Sequence, residues 1–148
     1  MSSKVVIRHA ASSEDLAACF PVIVQLRPFL GDAIEWQERV SSMGRAGYRV
    51  LAAWDGECAV AVAGYRVMEN LIHGRFVYVD DLVTADGRRG EGLGALLLEE
   101  ISRIGVEARC RRLVLDTAAA NTSARRFYTR EGLLDVVVGF VKPLEAPT

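Results

Sequence analysis

One stretch limits what this chain can fold into more than any other: residues 75–100, RFVYVDDLVTADGRRGEGLGALLLEE. Phe76, Val77, Tyr78 and Val79 are β-branched or aromatic, and Leu82 and Val83 continue the run past Asp80 and Asp81, which is the composition of a strand. A polar loop over 84–89 leads into Arg89-Gly90-Glu91-Gly92-Leu93-Gly94 and then into the apolar helix start Ala95, Leu96, Leu97, Leu98. A strand, a glycine-rich turn and a helix in that order make an anion cradle. The first amides of a helix have no intrahelical partner and carry the positive end of its dipole, so a phosphate placed there accepts several backbone hydrogen bonds at once. Glycine at 90, 92 and 94 clears side chains from the approach and admits backbone angles that other residues resist, while Arg88 and Arg89 put positive charge at the mouth. An ordinary exposed turn can hold the same residues; the strand before it and the helix after it are what point to phosphate.

Three kinds of phosphate loop compete. A nucleoside-triphosphate loop ends in Gly-Lys-Ser/Thr, and Leu93-Gly94-Ala95 supplies none of it. A dinucleotide fingerprint G-x-G-x-x-G/A matches at Gly90, Gly92 and Ala95, with Asp116 about 20–25 residues on as a ribose acid. The third pattern, Arg-x-x-Gly-x-Gly, matches at Arg89, Gly92 and Gly94. The order of the other elements separates the last two. Strands are expected at 4–9, 48–54, 57–68 and 76–83, the second and third joined by Asp55-Gly56, the strongest short hairpin signal in the chain. That is an antiparallel meander, whereas a doubly wound dinucleotide domain alternates strand and helix and opens with its glycine loop. Here the loop follows residue 88 and about sixty residues remain.

Helices are expected after Ser12, with Asp15 at the capping-box position, and after Asp32, with Ile34 and Val40 turned inward. Pro21 predicts a break or a kink in the first of them. After the helix from 92 to about 109 come a short buried strand at 112–116, a helix over 121–130 ended by Gly132, and a last strand at 136–141. The tail, 145–148, reads as loose. The 148 residues are expected to form one domain, 1–148, long enough to bury a core without staples. A net charge of −1 with no basic stripe argues against nucleic acid. Cys19, Cys58 and Cys110 are widely spaced and without a CxxC, so reduced, buried thiols are expected and neither a metal site nor a disulfide framework. No charged-then-apolar leader and no bilayer-length run is present, from which a cytoplasmic location is expected, with no membrane partner.

Three pieces of the second half, in order, resemble the GNAT superfamily of N-acetyltransferases. Tyr78-Val79-Asp80-Asp81-Leu82-Val83 is similar to the family's bulged central strand, the turn from Arg89 to Gly94 to its acetyl-CoA pyrophosphate loop, and Asn121-x-x-Ala124-x-x-Phe127-Tyr128-x-x-x-Gly132 to a later helix. The resemblance covers roughly residues 48–141 and implies an α/β (α+β) fold: a mixed sheet of about six to seven strands, an antiparallel meander first, the central parallel pair splayed apart, and about four flanking helices. It implies that backbone at Leu82, Val83 and Thr84 pairs with pantetheine, which acts as an inserted strand where ladder partners are missing. It further implies that Arg89, Gly90, Glu91, Gly92, Leu93, Gly94 and Ala95 hold the pyrophosphate, and that Asn121 and Phe127 line the other side. Arg88, Arg125 and Arg126 are alternatives for the nucleotide's 3′-phosphate.

The reaction so implied moves an acetyl group from acetyl-CoA, a co-substrate, to a primary amine. An amine with a pKa of about 10.4 is neutral in about one molecule per thousand near pH 7, so a base helps, as does a proton donor for the departing thiolate. By resemblance Tyr128 is that donor, against the plainer reading of a tethered core aromatic. Asp80 and Asp81 are the candidate bases, directly or through water. Alternation along a strand lets only one of them face a cleft, and Asp80 stands where relatives carry a glutamate. Adjacent acids equally cap backbone or pair with arginine, a use of carboxylates that needs no reaction. His73 is a loop histidine that could serve in their place. Phe20, Phe29, Trp36, Asp32, Glu35 and Glu38 could form an acceptor pocket or simply an amphipathic helix face. The apolar strand expected at the C-terminal end needs covering, which suggests a homodimer. A non-catalytic acyl-CoA-binding regulatory module would keep the loop and the splayed strands without needing Tyr128 or a base.

Overall fold

The computed structural model describes residues 4–145, so the last three residues of the tail lie outside the described residues. The described chain falls into two compact units, one ending at Leu115 and one beginning at Asp116. The first unit contains β1 (Val5–His9), α1 (Ser13–Leu26), α2 (Ala33–Gly44), β2 (Arg49–Asp55), β3 (Cys58–Asn70), β4 (Gly74–Thr84), α3 (Leu93–Glu107) and β5 (Arg112–Leu115). The sheet runs β1-β2-β3-β4-β5 in space. Its first three pairings are antiparallel, and only β4 and β5 run parallel. The Asp55-Gly56 turn closes as its sequence demands: Asp55 pairs with Cys58, and Gly56 takes a φ of +62° that favours glycine.

Local chemistry starts the helices where the sequence signals them. The Ser12 hydroxyl accepts from Asp15 N at 3.0 Å, and Asp32 Oδ1 accepts from Glu35 N at 2.8 Å, each satisfying an amide that a helix start leaves open. Two expectations are corrected here, the break at Pro21 and the inward Ile34. α1 is unbroken through Pro21. Pro21 and Ala17 both lie on the exposed side of the helix, so the carbonyl that loses its amide partner faces water and not core. In α2 Ile34 turns outward, 66% exposed, and Trp36 takes the inward position at 3%, donating from Nε1 to Leu16 O at 2.9 Å. The ring buries far more apolar surface than Ile34 could and has a partner for its one polar atom.

α1 and α2 cover one face of the sheet. Leu16, Cys19, Ile23, Leu30 and Trp36 meet Tyr48, Val50, Ala52, Trp54 and Val62 in one core. The alternate residues Leu51 and Ala53 are also buried and, by the two-residue period of a strand, point to the opposite face. α3 packs there with Leu97 and Ile101 fully enclosed; burial of each such side chain stabilises by about 1.5–3 kcal/mol. Of the cysteines, Cys19 is buried, its thiol pushed up to about 12 by burial; Cys110 is half-buried, and Cys58, against expectation, is exposed at the hairpin. Among the described residues no helix is long and apolar enough to cross a membrane, and no cluster of three or more His, Cys, Asp or Glu could hold a metal.

The second unit contains α4 (Thr122–Arg130), capped by Asn121 Oδ1 accepting from Ala124 N at 3.0 Å, and closed by Gly132 at φ +92°. The strand expected at 136–141 does not form: five strands are observed among the described residues against the six to seven expected. Val136, Phe140 and Val141 have strand-forming side chains but are 76%, 95% and 94% exposed, and no ladder includes them among the described residues. Propensity alone does not make a strand; the ladder does.

Candidate active site

β4 changes character at its middle. Over Phe76 to Val79 it is hydrogen-bonded on both sides, to β3 and to Arg112–Leu115 of β5. The parallel ladder ends at the Val79–Leu115 pair, while β4 continues to Thr84 with only β3 beside it among the described residues. Backbone groups of residues 80–84 on that side therefore lack ladder partners, and an extended molecule carrying amides can use them.

The same point carries a bulge. Gly64 pairs with Asp81 and Tyr65 with Val79, so Asp80 is the extra residue. A bulge interrupts the alternation of side chains, which corrects the expectation that only one of the two aspartates can face a given side. Tyr48, packed in the α1–α2 core, donates its hydroxyl to Asp81 Oδ2 at 2.6 Å, and Arg27, at the end of α1, donates Nε to Asp81 Oδ1 at 2.9 Å. Arg27 Nη2 also donates to Asp80 O at 2.9 Å. The Asp80 carboxylate is held in a fork by Arg66, with Nη2 at 2.7 Å and Nε at 3.0 Å. Arg66 is two residues along β3 from Gly64, hence on the same face. Burial pushes the Asp80 carboxyl above its ordinary value, against the opposing pull of Arg66. Burial likewise pushes the Tyr48 hydroxyl far up, with the Asp81 charge adding to it; it acts here as a donor. Gly64 makes this arrangement possible, because a Cβ there would overlap the Tyr48 hydroxyl.

Arg27, Tyr48, Gly64 and Arg66 escaped the sequence analysis. The one available signal was Gly64, a lone glycine inside a strand pattern, which marks a bulge or a close approach.

The turn after β4 has the form its glycines suggest. Residues 86–88 make a single 3-10 turn, and Gly90 and Gly92 take φ of +86° and +77°, with nothing within 4 Å of a Cβ built on either. α3 then begins with no side-chain cap and no acid in its first turn, and its first helical bond is Leu96 N to Gly92 O at 3.1 Å. The amides just before it are those a diphosphate would take. Arg88 pairs with Asp55 at 2.9 Å and Glu91 at 2.8 Å, and Arg89 pairs with Asp86 at 2.8 Å. These ion pairs brace the turn.

In the second unit Phe127 and Tyr128 lie on α4 with ring centroids 5.3 Å apart, and burial pushes the Tyr128 hydroxyl above its ordinary value. The Asn121 side chain accepts the first-turn amide already described. Arg125 pairs with Asp135 at 2.9 Å. His73, in the β3–β4 turn, meets Arg112 Nη1 at 3.0 Å and packs on Phe76. Of the aromatic and acidic residues of the first helices, Trp36 is taken up by the core, Asp32 by its cap and Glu35 by Arg39 at 3.2 Å, while Phe29 is 63% exposed.

With that geometry in hand, comparison with known proteins is informative. A family model described as the Acetyltransferase (GNAT) family matches residues 13–133. The uncharacterized N-acetyltransferase YhdJ of Bacillus subtilis (strain 168) is 24% identical over 123 residues, covering 83% of this chain and 87% of that protein. Among solved structures, the aminoglycoside N-acetyltransferase AAC(6')-Iy in complex with CoA superposes with a TM-score of 0.85 at 17% identity, covering 99% of this chain and 98% of that one. Glucosamine-6-phosphate N-acetyltransferase from Arabidopsis thaliana does so with a TM-score of 0.77 at 16% identity, covering 96% and 99%.

Proposed function

The chain belongs to the GNAT acetyltransferase family, and from that premise we propose that it moves an acetyl group from acetyl-CoA to a primary amine by direct attack in a ternary complex, within a single domain over residues 1–148. The observation that carries the reading is the abrupt loss of β4's second neighbour after Val79, immediately before an uncapped helix start. Backbone at Leu82, Val83 and Thr84 pairs with pantetheine, and amides from Arg89 to Ala95 take the pyrophosphate. Asn121 and Phe127 come to the site from the family motif on α4.

In the reaction the neutral amine nitrogen bonds to the thioester carbonyl carbon, the carbon–sulfur bond breaks, the nitrogen gives up a proton and the thiolate gains one. Tyr128 is the donor to sulfur; this rests on the motif, and a phenol that burial pushes above its ordinary value carries its proton at neutral pH. The amine's proton goes to Asp80 or Asp81. Arg66 occupies both oxygens of Asp80, so transfer through a water suits it better than direct contact, while its upward pKa shift improves it as a base. That the acceptor is an amine is supported by the names of two structural neighbours, an aminoglycoside and a glucosamine-6-phosphate N-acetyltransferase. A cytoplasmic location and a homodimer complete the reading. The exposed apolar side chains of Leu134, Val136, Val138, Phe140 and Val141 are what a second copy would cover, and sedimentation as a monomer at micromolar concentration removes the dimer.

Calorimetric titration with acetyl-CoA, followed by thiol release over a panel of amines, tests the whole. The expected result is saturable binding and amine-dependent release, with Tyr128→Phe slowing release while binding persists. Binding without release for any amine would identify a non-catalytic acyl-CoA module; absence of binding sinks the proposal.

A further inference from the structure

We propose that the acceptor is a small amine bearing its own carboxylate, an amino acid or a close analogue, and that Arg27 and Arg66 receive that carboxylate. This rests on the acetyl-transfer reading above and adds the substrate class. At the bulge two carboxylates face two guanidiniums, and their charges cancel. The four groups are not equally placed. The Asp81 side chain is 12% exposed and Arg27 40%; Asp80 is 21% exposed and Arg66 29%. The carboxylates form the inner layer, with Tyr48 backing Asp81 from the core, and the guanidiniums form the outer one. A molecule approaching the α1 face of β4 at the point where the gap opens meets arginine first.

The donor count agrees. A guanidinium has five N–H donors. Arg27 spends Nε and Nη2 on Asp81 and Asp80 O, and Arg66 spends Nε and Nη2 on Asp80. The Nη1 group of each has no hydrogen bond among the described residues. Charge-assisted bonds from such donors to a carboxylate are among the stronger ones available to a protein. A polycationic acceptor fares worse: it meets like charge, and reaching an aspartate means breaking a forked Arg–carboxylate pair in a half-buried setting, which leaves a guanidinium unpaired. Because Arg66 holds residue 80, where the second neighbour of β4 is lost, a carboxylate on these arginines brings its amine to within a residue or two of the gap.

The test uses the full-length protein and pairs of acceptors that differ only in the carboxylate: amino acids, each against its decarboxylated amine, with spermidine as a polycation, at fixed acetyl-CoA. The amino acid of at least one pair is expected to have a kcat/KM roughly tenfold or more above its partner, the scale of one charge-assisted bond. Arg27→Met and Arg66→Met should lose that preference through KM, and Arg27→Lys should keep part of it. A second arm needs no variant: the N-acetylated amino acid should inhibit the wild-type protein more strongly than the N-acetylated amine. Equal or reversed preference, or a preference for spermidine, overturns the acceptor assignment alone; a panel wholly inert although acetyl-CoA binds identifies the non-catalytic module and overturns the acetyl-transfer reading, the acceptor assignment with it. Failure to bind acetyl-CoA in the calorimeter likewise overturns the acetyl-transfer reading, so the two failures are distinguishable.

Discussion

The two halves of β4, Phe76-Val77-Tyr78-Val79 and Asp80-Asp81-Leu82-Val83-Thr84, do different work. From Phe76 to Val79 the strand is paired on both sides, and Phe76, Val77 and Val79 are 3%, 1% and 4% exposed. From Asp80 to Thr84 it keeps one neighbour, carries a bulge, is half-buried throughout and holds its charges in a network of ion pairs. Position along one strand thus decides whether a side chain is core or site: the parallel partner stops at the Val79–Leu115 pair, and the two aspartates follow at once. α3 repeats the lesson. α1, α2 and α4 start with a side-chain cap, and α3, which follows the open half of β4, starts without one.

If the first half is scaffold, Phe76→Ala should cost the most, about 3–5 kcal/mol of unfolding free energy as a buried aromatic is lost. Urea denaturation measures this, and the remaining folded protein should bind acetyl-CoA normally. A weakened binder of unchanged stability would erase the distinction between the halves. Gly64→Ala strikes the bulge from the next strand by driving a Cβ into the Tyr48 hydroxyl. It should cost about 1–3 kcal/mol by overpacking and also lower turnover by displacing Asp81; turnover equal to wild type per folded molecule would show that Asp81 need not be held. Gly92→Ala, at φ +77°, should cost about 1–2 kcal/mol in backbone strain, yet weaken acetyl-CoA by more than that in calorimetry, since the loop serves binding.

The smallest expected effect lies away from β4 and marks where the comparison ends. His9 Nε2 sits 2.6 Å from the Tyr65 hydroxyl. Burial first, then Arg49, lowers its pKa below 6.5, with Glu100 opposing. The unfolded chain therefore takes the proton before the folded one does, and stability should fall as pH drops from about 6.5 through the lowered folded value. His9→Gln should flatten that part of a stability-against-pH curve; an unchanged slope would assign it to other groups.

Much of the fold was legible because its signals are local. Ser12 and Asp32 cap the helices they were expected to cap, Asp55-Gly56 turns the hairpin, and the glycines of 90–92 take the left-handed angles their role requires. Readings that depended on what lies across the fold fared worse. Pro21 is tolerated because its side of α1 faces water, Ile34 yields to Trp36, and residues 136–141 have strand composition without a strand to pair with. The ion pairs at Asp80 and Asp81 join residues 14 and 54 positions apart in sequence, and no spacing rule reaches across such a distance.

By itself the sequence determined the order of elements through α4, the antiparallel meander and the glycine-rich turn before α3, since each follows from side-chain period and backbone freedom within a few residues. Only the tertiary structure decided that β5 stops at Leu115, that a bulge turns both aspartates to one face, and that arginines cover them. Those outcomes depend on which distant backbones and charges meet, and a meeting of that kind is set by packing of the whole sheet with its helices.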